Sequence, residues 1–177
     1  MRPLCFINES PYFNIYIYPK EIDCYSASEH IQLPGRWLRL DSSFLPSKKV
    51  ELYDLNDREA RFKRIRELYD DVPDDFFKPD SKIIFFSLGS MASGYRKIMK
   101  RLLDLIGKVP DHRFIVSKGP LAAEFVLPPN CVGKGFVDQF ETLKVVDLMI
   151  SHGGNNTQTE GERVNLGMLI NPPFNID

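Results

Sequence analysis

The residues Ser151-His152-Gly153-Gly154-Asn155-Asn156-Thr157-Gln158-Thr159-Glu160 place small, polar and titratable side chains directly behind the apolar run Val145 to Ile150. Gly153 and Gly154 have no Cβ and let main chain approach a ligand closely. Asn155, Asn156 and Thr157 are good capping residues, so a helix is predicted to open there. The amides of its first turn and the helix dipole together favour an anion. His152, at the strand tip, can donate to the same anion, and a charge-assisted hydrogen bond contributes about 1.5–3 kcal/mol. Glu160 lies four residues beyond Asn156, on the same helical face one turn on. A carboxylate there suits paired hydroxyls such as a ribose 2′,3′-diol, which points to a nucleoside diphosphate rather than bare phosphate.

The elements that must position these residues are legible from about Asp80 onward. Lys82 to Ser87 is a nearly continuous apolar run, as expected of a strand buried on both faces. It breaks at Leu88-Gly89-Ser90. A helix is predicted from about Gly94 to Gly107, with Ile98, Leu102, Leu103 and Ile106 three or four apart. His112 to Ser117 is a second strand ending in Lys118-Gly119-Pro120, and 131–133 a short third. A short helix is predicted over 139–145, a fourth strand over 145–151, and a fifth over 166–170. Alternating strands and helices predict βαβ units and a parallel sheet. Ligands then bind beyond the carboxyl ends of the strands, where the three Gly- and Ser-bearing loops fall.

Before Asp80 the pattern differs. Residues 12–18 alternate, with Phe13, Ile15 and Ile17 predicted on one face of a strand that Pro19 ends. Residues 33–49 read as a linker with short extended pieces. Asn56 or Asp57 caps a helix to about Tyr69, whose Arg58, Arg61, Lys63, Arg64 and Arg66 read as a solvated face. The 23 basic and 24 acidic residues give a net charge of -1, which offers no support for nucleic-acid binding. Cys5, Cys24 and Cys131 lie far apart without a C-x-x-C, so neither structural zinc nor a disulfide framework is indicated. No apolar run approaches the roughly 20 residues that cross a bilayer, and the N-terminus does not read as a signal peptide. The chain as given reads as soluble and cytoplasmic.

Phe136-Val137-Asp138-Gln139, followed by a short helix, a strand and the Ser151 to Glu160 run, resembles the donor-binding signature of UDP-dependent family 1 glycosyltransferases. Ser87-Leu88-Gly89-Ser90 resembles the loop that opens that family's C-terminal domain, and Pro173 to Asp177 resembles its P-x-x-x-D-Q segment. The resemblance covers roughly residues 80–177. It implies a Rossmann-like α/β parallel sheet with flanking helices, the truncated C-terminal half of a two-domain GT-B fold. Residues 1–79 would be the end of the N-terminal acceptor domain with the linker and a helix, and 80–177 an incomplete donor domain. It also implies roles. Phe136 stacks on uracil, Val137 main chain reads the uracil edge, and Gln139 lies near the ribose. His152, Gly153, Gly154, Asn156, Thr157 and Ser90 hold the diphosphate, Glu160 the ribose, and Asp177 the sugar hydroxyls. The family uses no metal or cofactor, UDP-sugar being a co-substrate.

Two departures stand out. The family has Trp and Pro where this chain has Phe136 and Asp138, and Gly161 to Met168 carries an extra residue and lacks the family's proline, so the helix exit is expected to be altered. The resemblance places a general-base histidine, with an aspartate partner, early in an N-terminal domain largely missing here. His30, His112 and His152 do not fit that role. The expected parent transfers a hexose or hexuronic acid from UDP-sugar to a hydroxyl of a small lipophilic acceptor with inversion. This chain alone is expected to bind donor weakly without transferring sugar, and a membrane anchor of the parent in the endoplasmic reticulum is compatible with lost flanking segments. The alternatives are a non-catalytic nucleotide-sugar-binding module and, behind it, a UDP-sugar epimerase of the same fold.

Overall fold

The computed structural model describes residues 11–17, 37–40 and 52–170. The chain divides into two compact units, Met1–Lys48 and Lys49–Asp177.

In the first unit, β1 (Asn14–Ile17) pairs in parallel with β2 (Trp37–Leu40), with Ile15 opposite Leu38 and Ile17 opposite Leu40. The Tyr16 and Trp37 rings meet edge-on at 6.2 Å between centroids. The alternation is present, but Phe13 and Ile15 lie on an exposed face, while Asn14 and Tyr16 are half-buried.

In the second unit, α1 (Arg58–Leu68) is capped by Asp57, whose carboxylate accepts from the Ala60 amide at 3.0 Å. The sheet follows: β3 (Ile83–Ser87), then a helical turn α2 (Gly89–Ala92) and α3 (Arg96–Gly107), then β4 (Arg113–Ser117) and β5 (Cys131–Lys134). The chain continues through α4 (Gln139–Leu143), β6 (Leu148–Ser151), α5 (Asn155–Arg163) and β7 (Met168–Ile170). All five strands are parallel, in the order β5-β4-β3-β6-β7. This is the expected fold class. Strand β6 begins at Leu148 rather than Val145, because Val145 to Asp147 turn to bring the Asp147 carboxylate onto the Ile83 amide at 2.8 Å.

Period-two alternation along β3 divides the core. Ile83 and Phe85 face a cluster with Ile65, Tyr69, Leu143, Val145, Val146 and Met149, beneath α1 and α4. Ile84 and Phe86 face Met99, Leu103 and Ile106 of α3. Phe85, Ile115 and Met149 are wholly buried, each contributing about 1.5–3 kcal/mol of apolar burial. Helix α1, placed before Asp80 in the sequence reading, thus packs with the sheet of the second unit. The reason is Ile65 and Tyr69, both closed off from solvent.

Arg61 departs from the solvated face expected of α1. It is buried, and its guanidinium donates to Val145 O at 3.0 Å, Leu55 O at 2.7 Å and Asp147 Oδ2 at 2.9 Å. A cavity of about 320 Å³ adjoins this clamp, lined by Arg58, Asp80, Lys82 and Asp147 among others. It sits at the amino ends of β3 and β6, away from the glycine loops, and its buried charge is already paired.

The segment that departs from the family pattern has a simple local solution. Asn165 adopts the left-handed conformation at φ 53°. Its amide donates to Glu162 O at 2.8 Å, and the Leu166 amide donates to Gly161 O at 3.0 Å. That is a Schellman closure of α5, and Leu166, just beyond it, is buried.

Candidate functional site

Strand order reverses direction between β3 and β6, and a doubly wound sheet binds its ligands in the crevice beyond the carboxyl ends of such a strand pair. Ser87 and Ser151 end these two strands opposite each other in register. Each turns its chain in the same way. The Gly89 amide donates to Ser87 Oγ at 3.2 Å, and the Gly153 amide donates to Ser151 Oγ at 3.1 Å. Both glycines sit at positive φ, 69° and 82°, where other residues are strained. Ser87 and Ser151 stand in the sequence motifs without a role of their own; the signal for one is a serine two places before a glycine at both strand ends.

His152 stands between the two loops. A Cβ on Gly89 would lie 2.6 Å from its Cε1, and one on Gly154 would lie 2.5 Å from its Nε2. The ring therefore fits only because both neighbours are glycine. Burial pushes the imidazole pKa below its ordinary value, against a smaller opposing pull from the Ser87 main chain. No contact to Nδ1 meets hydrogen-bond geometry, so that buried nitrogen is without a partner. Burial thus favours the neutral imidazole, and an anion held beside the ring would favour the protonated form.

Helix α5 starts beside this ring. Gly154 is its N-cap in extended conformation, and no side chain caps it. Asn156 is exposed on the first turn and Ser90 is exposed on α2. Thr157 is buried and faces Gln139, whose Nε2 lies 3.3 Å from its Oγ1. The same Nε2 donates to Glu160 Oε2 at 2.6 Å. Gln139 is held there as the first residue of α4, capped by Asp138 through the Glu141 amide at 3.1 Å. Phe136 lies at the end of β5 with 78% of its surface exposed, and Val137 is half-buried behind it.

Burial raises the Glu160 carboxyl above its ordinary pKa, assisted by the Asp138 charge and opposed by the Gln139 hydrogen bond. A carboxyl whose pKa is higher folded than unfolded destabilises the fold once pH rises through the folded value. Glu160→Gln keeps an acceptor for Gln139 and removes that ionisation. We expect its thermal midpoint to match or exceed the parent's at pH 7, with the difference shrinking as pH falls toward the ordinary carboxylate range. Calorimetric melts at several pH values check this.

The structure thus brings Ser90, His152, Gly153, Gly154 and Asn156 to one strand-end crevice, and Gln139, Thr157 and Glu160 to one cluster along α5. Thr157, expected at the diphosphate, is buried with its Oγ1 3.3 Å from Gln139 Nε2. Asp177 and His30 lie outside the described residues. Among the described residues, no helix is long and apolar enough to cross a membrane.

No protein-family model matches the chain. A Caenorhabditis elegans protein named as a UDP-glucuronosyltransferase, ugt-46, is 29% identical over 104 residues, which are 54% of this chain and 19% of that protein. The chain resembles a UDP-glycosyltransferase over that stretch. Two solved glycosyltransferases share its fold. SnogD from Streptomyces nogalater aligns with TM-score 0.51 and 19% identity over 89% of this chain and 37% of its own. The spinosyn forosaminyltransferase SpnP aligns with TM-score 0.51 and 16% identity over 92% and 36%. At these identities the likeness is one of fold, the GT-B type. The chain spans about a fifth of the curated relative and somewhat over a third of the solved glycosyltransferases.

Proposed function

We propose that Lys49–Asp177 is donor-binding sheet of a UDP-dependent glycosyltransferase. The observation that supports this most is the Gln139–Glu160 pair at 2.6 Å, set one turn along the helix whose first turn opens at the strand-order reversal. In this reading the helix N-terminus, His152 and the two glycine loops hold the diphosphate. Glu160 and Gln139 hold the ribose hydroxyls, and Phe136 carries the uracil on its exposed face. Asp177 is assigned the sugar hydroxyls by resemblance.

The reaction class follows from those contacts. When an acceptor hydroxyl attacks the anomeric carbon, negative charge develops on the leaving diphosphate. Amide dipoles and a histidine fixed in advance stabilise that charge more than they stabilise the ground state. The site as read calls for no metal or resident cofactor. The whole protein would transfer a hexose or hexuronic acid, with inversion, to a hydroxyl of a small lipophilic acceptor held by an N-terminal domain. The base that deprotonates this hydroxyl is assigned to that domain by the resemblance; His152 is given to the diphosphate, and His112 precedes β4 at the opposite end of the sheet. The C. elegans relative suggests a hexuronic acid among the donors.

Phe136→Ala gives a test specific to the base. Stacking of a base on an aromatic ring is worth about 1–3 kcal/mol, so UDP affinity should fall about tenfold while inorganic pyrophosphate affinity stays unchanged. Equal UDP binding by both proteins in a calorimetric titration would remove Phe136 from the site.

A further inference from the structure

The two glycine turns of the crevice are held at both ends. Their amides bond to Ser87 and Ser151, and their carbonyls are held as well. Gly89 O accepts from Ser93 twice, from its Oγ at 2.6 Å and from its main-chain amide at 3.2 Å. Gln158 Nε2 donates to Gly153 O at 2.8 Å. Ser93 is 1% exposed and Gln158 6%, so each acts from beneath its loop. Ser93 is also packed against the loop after β4, since a Cβ on Gly119 would lie 1.9 Å from its Oγ. The same device is thus built twice from different residues, four and five positions downstream of the glycine.

A planar trans peptide sets its C=O and the following N–H antiparallel. Holding Gly89 O therefore aims the Ser90 amide, and holding Gly153 O aims the Gly154 amide. A glycine at positive φ gives little steric resistance to rotation of the peptide beside it, so hydrogen bonds to the carbonyl decide the orientation: at Gly153 that of Gln158, and at Gly89 the short Ser93 Oγ bond reinforcing the longer main-chain one. We propose that Ser93 and Gln158 are positioning residues, which fix the Ser90 and Gly154 amides in advance to receive the oxygens of a nucleoside diphosphate. The proposal rests on the donor-site reading above and adds the pair that orients its amides. Neither side chain touches the ligand. Each acts by removing the ordering of a loop that would otherwise accompany binding.

Ser93→Ala and Gln158→Met, the latter close in shape but without a donor, test this in the full chain. In the nucleotide-free protein, the ¹⁵N order parameter of Ser90 should fall in Ser93→Ala, and that of Gly154 in Gln158→Met, from the rigid value of about 0.85 toward 0.6. Each loop should respond to its own variant alone. Each variant should weaken UDP about tenfold, the factor for one lost hydrogen bond, and leave uridine affinity unchanged. Unchanged order parameters in both variants overturn the proposal, as does a parallel loss of uridine, which would indicate general loosening. If the parent protein binds no UDP, the donor-site reading fails, and the order parameters still decide whether the two side chains hold their loops.

Discussion

Arg61→Ala should cost about 3–5 kcal/mol of unfolding free energy, the range for removing one member of a buried ion pair. The guanidinium and the Asp147 carboxylate are 5% and 14% exposed as side chains. Without Arg61, the Asp147 carboxylate keeps the Ile83 amide and the Lys82 ammonium at 3.9 Å but loses its guanidinium partner, the carbonyls of Val145 and Leu55 lose their donor, and α1 loses its polar tie to the turn before β6. Arg64, one turn along the same helix, makes a comparable contact to Glu141 at 2.9 Å, but with both side chains 27% exposed. Solvent-accessible pairs contribute about 0–1 kcal/mol, so Arg64→Ala should shift the denaturant midpoint far less. Equal midpoint shifts for the two variants would show that burial does not distinguish them.

Gly89→Ala should weaken UDP by about ten- to 100-fold while leaving the protein folded. The left-handed conformation costs an alanine about 1–2 kcal/mol, a tolerable fraction of a domain's stability. The larger consequence is geometric. The new methyl would sit 2.6 Å from His152 Cε1 and 2.9 Å from Nε2. An imidazole can swing away from such a contact, so the strain is relieved by moving the group that meets the diphosphate. Losing a hydrogen bond to a charged group costs about 1.5–3 kcal/mol, which corresponds to factors of about ten to a hundred. Gly167→Ala is the control, because its methyl would meet only Leu148 Cδ1 at an ordinary 3.5 Å. Near-parental UDP affinity in Gly89→Ala would mean that the ring position seen here does not matter for binding.

Much of the crevice was readable in the sequence because its signals are local. A strand, two glycines and a run of capping residues specify where an anion-binding helix begins, and Glu160 follows at a fixed helical spacing. The Gln139–Glu160 contact joins residues 21 positions apart. The resemblance placed both at the ribose, while their direct hydrogen bond emerged only from packing α4 against α5. Arg61 was misread for the same reason in stronger form. Its partner Asp147 lies 86 residues away, and nothing in a basic helix distinguishes the one arginine that turns inward. Ser93 and Gln158 resemble ordinary helix residues until the carbonyls they hold are seen. The alternation along β1 is legible in the sequence, but which face is the more covered shows only with the Tyr16–Trp37 contact. The exit of α5 lacked the family's proline, and Asn165 ends the helix by a different local route.

The central claim is that α5 and the glycine turns bind a diphosphate while Glu160 binds the attached ribose. Calorimetric titration of the full chain with UDP and with uridine, repeated on His152→Ala and Glu160→Ala, tests it most directly. The account predicts that His152→Ala weakens UDP about tenfold or more and leaves uridine unaffected, whereas Glu160→Ala weakens both ligands. Identical UDP binding by all three proteins would contradict it.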